Sequence, residues 1–496
     1  MNKHRLEIIV FISGAVVMVF ELVGSRVLAP FLGSSIFTWT SIIGVILGSL
    51  SLGYWLGGRW ADREVSYTTL SLILVVAAGL VALMDLFKDP FLFFLSNAIS
   101  DIRASSFLGA LALFSLPSIL LGTISPYAVK LKIINVQTSG SIVGNLYAIS
   151  TLGSIVGTFL AGFWLIPSFG STRIIYILAL VLALCSFLAA YKKNIKTRGL
   201  LLAVFIILSI ISPSYFTQFG IKDFDTRYSR VLIYDTTDKK TQRPVRLMNI
   251  DSVSNSGIFL DGEDLLFDYF KYCGLAGHFQ DQAEKALLIG GAGYVYPQYF
   301  LKNNPRTSLD VVEIDPKLTG LAREYFGLQD SPRLQIFHED GRMFLNRNEK
   351  KYDLVFMDAF NSLFSLPYQL TTQEAISKIY GALNDRGVVL VNLISILDPQ
   401  KNDFLRAEYS TYRSVFPQVY LFPIISNSNP EIVQNILLVA LKSDQLPSFT
   451  SENKEYNEYL SHLLLNYSFD PKAILTDEHA PVDYQVAKMI NSLKKQ

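Results

Sequence analysis

ALLIGGAGY at residues 286–294, with LDVVEIDP following at 309–316, reads as a strand, a glycine-rich turn, a helix and a second strand ending on Glu313. Gly290, Gly291 and Gly293 permit a tight turn in which the backbone approaches a nucleotide closely. A carboxylate at the end of the next strand suits a ribose diol. The alternation repeats downstream. LQIFHED precedes GRMFLNR, and YDLVFMDAF precedes TTQEAISKIYGAL. GVVLVNLI at 387–394 leads to a helix near 403–415, and QVYLFPII with NILLVAL is expected to close as a hairpin. Repeated strand–helix units predict a parallel sheet covered by helices. Ligands of such sheets bind beyond the carboxyl ends of the strands. The glycines, Glu313, Asp340 with Gly341, and Asp358 follow four successive strands. Each alone has a plain structural account as a turn, a helix cap or a loop acid. Together they point to a site for a nucleoside-type ligand.

Working towards the N-terminus, RVLIYDTT (230–237), RPVRLMNI (243–250) and SGIFLD (256–261) alternate with period two and predict a small antiparallel region. Before residue 216 the composition changes character. The whole chain is 50% hydrophobic and 17% charged, and the shortage of charge lies almost wholly in this first part. Apolar runs long enough to cross a bilayer cover about 6–28, 36–57, 67–87, 105–125, 142–166 and 172–191. A shorter seventh run spans 199–215. The first run is too long for a signal peptide and lacks a small-residue cleavage pattern. The expected organisation is an integral membrane helical domain over 1–215, a small β region over 216–262 and a Rossmann-like α/β domain over 263–496.

Loop charges set the expected orientation. Lys3 and Arg5, Arg59 and Arg63, Lys130 and Lys132, then Lys192, Lys193, Lys196 and Arg198 fall on one side, against Lys88, Arg103 and Arg173 on the other. The positive-inside rule places the N-terminus of a multi-pass inner-membrane protein in the cytoplasm. A seventh run that crosses puts the α/β domain outside, and one that lies in the interface keeps it inside. The chemistry of a nucleoside site favours a cytoplasmic domain.

Glu21 and Arg26, five apart in the first span, are expected to pair or to line a polar site at membrane depth. Glycines recur at 44, 48, 53 and 57 and at 144, 153, 157 and 162, a spacing that predicts close helix packing. The net charge of +1 gives no argument for nucleic acid. Two cysteines and five scattered histidines make neither a disulfide framework nor a metal-ligand spacing, so no metal is expected.

The region 228–445 resembles the polyamine aminopropyltransferases, or spermidine synthases, which use the Rossmann-like fold of class I methyltransferases. ALLIGGAGY, VVEIDP, HEDGRMFL and YDLVFMDAF carry the likeness, and ELVGSRVLAPFLGSS resembles the first span of the membrane-fused subgroup. The resemblance implies an enzyme binding S-adenosylmethionine or its decarboxylated form and releasing methylthioadenosine. Gly290, Gly291, Gly293, Glu313, Ile314, Asp340, Gly341 and Asn255 would bind the adenosyl compound, Glu313 at the ribose and Asp340 at the adenine amino group. Asp358 would accept the proton of the attacking amine. The implied partners are the bilayer and a small amine, or the cofactor itself as substrate, with a homodimer admitted.

Several positions depart from the family pattern. Gly293 stands where soluble members carry the acid that holds the cofactor's amine. Phe267-Asp268 replaces a Tyr-His pair, Asn255 a glutamine, and Asn361 the second acid of the polyamine motif. Asp268 and Asn361 are thus the tentative substrate residues, with Glu263 a second acid that could compensate. Losing acids where a cationic diamine would sit argues for an acceptor other than putrescine or for intramolecular cleavage of the cofactor. Two other readings remain open: a methyltransferase on the same fold, and a transporter or sensor regulated by a nucleoside-binding domain.

Overall fold

The computed structural model describes all residues but 1–3, 64, 100, 134, 191–199, 201–202, 206, 208–215, 252, 360–365, 426–428, 466 and 494–496. The chain divides into two compact units, Met1–Arg230 and Val231–Gln496.

Among the described residues, six helices of the first unit are long and apolar enough to cross a membrane: α1 (Arg5–Leu32), α2 (Ile36–Arg63), α3 (Tyr67–Ala98), α4 (Ile102–Lys132), α5 (Ser139–Ser168) and α6 (Ser171–Ala189). The glycine spacing does what it predicts at half of its positions. A Cβ on Gly153 would lie 1.9 Å from the Phe11 carbonyl oxygen, and one on Gly157 2.5 Å from that of Ala15, so α1 and α5 touch backbone to backbone. Gly53 and Gly57 do the same against Ile119 and Thr123 of α4. Gly44, Gly48, Gly144 and Gly162 have nothing within 4 Å. Seventh-run residues 199, 201–202, 206 and 208–215 lie outside the described residues, but Phe205 is described, 4% exposed, within the apolar core of the helices.

Two expectations for charged residues change. Glu21 and Arg26 do not pair: the Arg26 guanidinium donates to Asp225 Oδ1 at 3.2 Å and the Thr226 carbonyl at 2.7 Å. Glu21 forms no ion pair among the described residues. Lys88, expected in a loop, is buried because α3 continues to Ala98. It donates to Asp85 Oδ1 at 2.5 Å and to Thr172 Oγ1 at 2.9 Å. A short strand, β1 (Lys222–Asp225), precedes Arg230, which grips Asp89 through two guanidinium nitrogens at 2.7 and 3.0 Å and also holds Asp223.

The second unit opens on an antiparallel meander, β2 (Arg230–Thr237), β3 (Pro244–Ile250) and β4 (Val253–Phe259), with a bulge at Met248/Asn249. Short helices α7 (Asp268–Tyr272) and α8 (Ala276–Phe279) follow. The main sheet then alternates with helices: β5 (Lys285–Ile289), α9 (Val295–Asn303), β6 (Ser308–Val312), α10 (Pro316–Tyr325), β7 (Leu334–Phe337), α11 (Gly341–Arg347), β8 (Tyr352–Met357), α12 (Gln373–Ala382), β9 (Leu383–Ser395) and α13 (Asp403–Val415). The expected hairpin β10 (Gln418–Pro423) and β11 (Gln434–Leu441) closes one edge antiparallel, before α14 (Lys454–Ser461) and α15 (Val482–Leu493). Strand order is β10-β11-β9-β8-β5-β6-β7, with β9, β8, β5, β6 and β7 mutually parallel. Central strands are apolar on both faces, as a sheet covered on both sides requires. The connection order reverses beside β5, which opens a crevice at the carboxyl ends of β5 and β8.

Candidate active site

The glycine turn after β5 is built by close approach. Gly290 has φ +101°, and a Cβ there would stand 2.5 Å from the Asp358 carbonyl oxygen, so only glycine lets the two strand ends meet. Its N–H donates to the Val312 carbonyl, and the Asp358 N–H to that of Ile289, both at 2.9 Å. Below the turn, the buried Tyr294 hydroxyl meets Thr319 Oγ1 at 2.8 Å, which in turn meets His338 Nε2 at 2.9 Å.

Glu313, at the end of β6, is 5% exposed. Gly291 and Ala292 N–H donate to its Oε2 at 2.9 and 3.0 Å, and Asp315 N–H to its Oε1 at 2.9 Å. Burial raises its carboxyl above the ordinary value against the pull of these donors. An ionised carboxylate offers about four acceptor positions, so one remains for a hydroxyl. Ile314 beside it is 37% exposed, an apolar surface of the kind a flat base covers. Asp340 caps α11 through Met343 N–H at 3.0 Å, as its plain reading predicts. At Gly341 a Cβ would reach 2.7 Å from Ile289 Cγ2, so this glycine packs the helix start onto β5.

Asp358, at the end of β8, is half-buried. Asn392 Nδ2 donates to its Oδ1 at 2.9 Å, and the Tyr269 hydroxyl faces its Oδ2 at 3.4 Å. Burial pushes its carboxyl up to about 7, with both hydrogen bonds opposing. The side chain thus takes and gives up a proton near neutrality, the property a general base needs. Phe270, Tyr296, Phe356 and Met357 line the apolar cavity beneath it.

The remaining sequence-derived residues are distributed differently. Asn255 braces the β3–β4 connection, accepting from Ile250 N–H at 3.0 Å. Asp268 is exposed and held by Lys240 at 3.2 Å and Lys271 at 2.8 Å, in a surface groove that also contains Glu263 paired with Lys302. Its neighbour Tyr269 is the one that reaches Asp358. Asn361 lies outside the described residues. Gly293 donates its N–H to Ser256 Oγ at 2.9 Å, and a Cβ on it would meet Ser256 Cβ at 2.6 Å. Tyr269, Asn392 and Ser256 are the site residues that sequence reasoning passed over. A signal existed for Asn392, the single polar side chain in the apolar run GVVLVNLI. Nothing in the pattern marked Tyr269.

Residues 272–446 match the family described as Spermine/spermidine synthase domain. A polyamine aminopropyltransferase of Vibrio vulnificus is 30% identical over 231 residues, which cover 43% of this chain and 75% of that protein. The chain belongs to the polyamine aminopropyltransferase family. Polyamine aminopropyltransferase 1 of Streptomyces coelicolor is 23% identical over 380 residues, 72% of this chain and 69% of its own. A probable spermidine synthase of Corynebacterium glutamicum aligns with TM-score 0.41 and 22% identity over 48% of this chain and 85% of that one. As an aminopropyltransferase-family member the chain is a transferase, and the matched residues contain β5 through β11, with every strand end just described.

Proposed function

We propose that this is a membrane-anchored transferase that binds S-adenosylmethionine or its decarboxylated form and transfers its aminopropyl-type chain to an amine other than putrescine. The observation that carries the reading is Asp358, a carboxylate poised near neutrality on the strand end that touches the glycine turn. Glu313 would hold a ribose hydroxyl with its remaining acceptor position, Ile314 would lie against the base, and Asp340 would accept from the adenine amino group. The acceptor nitrogen attacks the methylene carbon beside the sulfonium. The carbon–sulfur bond breaks with its electron pair going to sulfur, methylthioadenosine leaves neutral, and the proton shed by nitrogen passes to Asp358. An ammonium has no lone pair, so the base frees the amine before attack.

Gly293 against Ser256 favours a second reading of the donor. Among the described residues, the atoms nearest the Cβ direction of Gly293 belong to Ser256 and Phe326 and not to an acid that would grip an amine or repel a carboxylate, which supports intact S-adenosylmethionine as donor and its intramolecular cleavage. Incubating the purified full-length protein with each donor and identifying the nucleoside product by mass spectrometry tests both. Methylthioadenosine with an aminopropylated acceptor supports transfer, and methylthioadenosine without one supports cleavage. S-adenosylhomocysteine would instead make the chain a methyltransferase. No product from either donor would leave a nucleoside-binding regulatory role for the domain.

A further inference from the structure

The first unit carries a record of which side of the membrane the chain leaves from. Its helices have two distinguishable ends. At one, Lys132 pairs with Glu7 at 2.5 Å, Lys130 with Asp62 at 2.7 Å, and the Arg5 guanidinium lies 3.6 Å over the Tyr67 ring. These contacts gather the start of α1, the end of α2, the start of α3 and the end of α4. Ser71 Oγ donates to the Ser186 carbonyl at 2.7 Å, which adds the end of α6 to the same side. Arg59 and Arg63, in the last turns of α2, belong to this end too.

The opposite end holds Arg26, Lys88, Asp89, Arg103 and the start of α6. Three of its cations are neutralised: Arg26 by Asp225, Lys88 by Asp85, and Arg230 by Asp89 and Asp223. The positive-inside rule makes the first end cytoplasmic and this one extracytoplasmic.

The decisive contact is Asp225. Its Oδ2 accepts the backbone N–H of Ser171, the first residue of α6, at 2.6 Å. Gly170 packs against the same carboxylate, since a Cβ there would meet Asp225 Cβ at 2.9 Å. Yet the chain left α6 at Ala189, at the far end of that 19-residue helix. At 1.5 Å per residue the two ends of α6 stand about 28 Å apart, close to the hydrocarbon thickness of a bilayer. Asp225 therefore stands at the end of the bundle opposite the one where α6 finishes. Phe205, between Ala189 and Asp225 in sequence, is buried in the bundle core. The contacts of Asp225 with Arg26, Gly170 and Ser171 place it away from the Ala189 end, where a run that stayed in the interface would keep it. Arg230 on Asp89, late in α3, fixes the last residue of the unit to the same end as Arg26 and Ser171.

We infer that the chain makes a seventh crossing and that the α/β unit following Arg230 stands on the extracytoplasmic face. This reverses the cytoplasmic placement that the chemistry of the site suggested. Resting on the proposed function, it also names the substrate pool: the acceptor is an extracytoplasmic amine. A nucleoside sulfonium made in the cytoplasm reaches the site only after a step that moves it across the membrane.

Cys185 and Cys273 are both buried, at 1% and 7% exposure, so an introduced cysteine can be read against a low background. Leu446→Cys, at a side chain 86% exposed in the α/β unit, and His4→Cys at the N-terminus are each expressed in the full-length chain. They are treated with a membrane-impermeant maleimide in sealed spheroplasts. The inference expects Leu446→Cys to label in sealed cells and His4→Cys only after permeabilisation. Leu446→Cys labelling only after permeabilisation overturns it. A carboxyl-terminal alkaline phosphatase fusion, which is active only outside the cytoplasm, gives a second reading that needs no cysteine variant, and an inactive fusion beside a fluorescent GFP fusion overturns the placement. Supplying donor and amine to the same spheroplasts separates the two claims. External methylthioadenosine supports both, whereas correct labelling without product retains the sidedness and removes the transferase reading.

Discussion

Asn392 donates to Asp358 Oδ1 at 2.9 Å while its own amide oxygen accepts from Asn435 Nδ2 at 2.8 Å. Neighbouring strands β9 and β11 thus fix the orientation of the Asn392 amide, and the amide fixes the rotamer of the base. Tyr269 approaches the other carboxylate oxygen from α7, so Asp358 is addressed from both sides of the crevice.

Replacing the base tests this arrangement directly. Asp358→Asn keeps the shape and one acceptor, so nucleoside binding should persist while turnover falls about 10²- to 10⁴-fold. In the parent, kcat should rise with pH and level off above about 7 as Asp358 loses its proton. Stability should move the other way. The folded carboxyl titrates near 7 against an ordinary value of 3.8. Between those values the folded state binds more protons than the unfolded one, so stability declines as pH rises through the window. The cost above pH 7 reaches at most about 4 kcal/mol. Asp358→Asn removes it, and thermal melts at alkaline pH should show the inactive variant to be the more stable protein.

Asn392→Ala removes a donor that favours the ionised carboxylate. The Asp358 carboxyl should then rise further, and the acid limb of the kcat profile should move to higher pH by on the order of one unit. At sufficiently alkaline pH the variant should recover most of the parent rate, because the base itself remains. A uniform loss at every pH would mean that Asn392 serves packing alone.

At position 293 the available space decides the chemistry. Gly293→Asp should destabilise the turn, because the Cβ direction is filled by Ser256. Gly293→Asp combined with Ser256→Gly opens that space and places a carboxylate in the crevice. Competition between the two donors should then shift about tenfold towards the decarboxylated form, the difference that about 1.4 kcal/mol of new charge pairing supplies. An unchanged ratio in a folded double variant would show that residue 293 does not face the donor's amine.

What the sequence disclosed and what it hid have physical reasons. Strand–helix alternation and buried runs such as ALLI and YDLVFM are local patterns, and they placed the parallel sheet, its strand ends and the closing hairpin. Gly290 was legible because a tight turn demands glycine wherever it occurs. The partner that demands it, the Asp358 carbonyl, is 68 residues away and enters only through the pairing of β5 with β8. Tyr269 escaped for the same reason: its reach to Asp358 depends on how α7 lies against the sheet, and no local period records that. In the helical unit the glycine spacing announced close packing but not which glycines take part. Gly153 touches Phe11 while Gly144 faces open space, since the face a helix turns to its neighbour is set by the neighbour. Arg26 misled because its partner, Asp225, lies 199 residues on.

Glu408 offers a prediction away from the site. It sits on α13, fully buried, and neither carboxyl oxygen meets a hydrogen-bond donor among the described residues. Burial holds its carboxyl well above the ordinary 4.5. The unfolded chain ionises the same group above about 4.5. Between that value and the raised folded one the folded state binds more protons than the unfolded state, so stability falls as pH rises through the window. Glu408→Met keeps the volume, removes the proton linkage and leaves no buried polar atom at the position. It should raise stability at pH 7 and have much less effect near pH 4, where the carboxyl of the parent is mostly protonated in both states. Thermal midpoints of the full-length protein at the two pH values check this. A variant that loses stability equally at both would show that the carboxyl is hydrogen-bonded in the fold, by a buried water for instance, and that its burial is compensated.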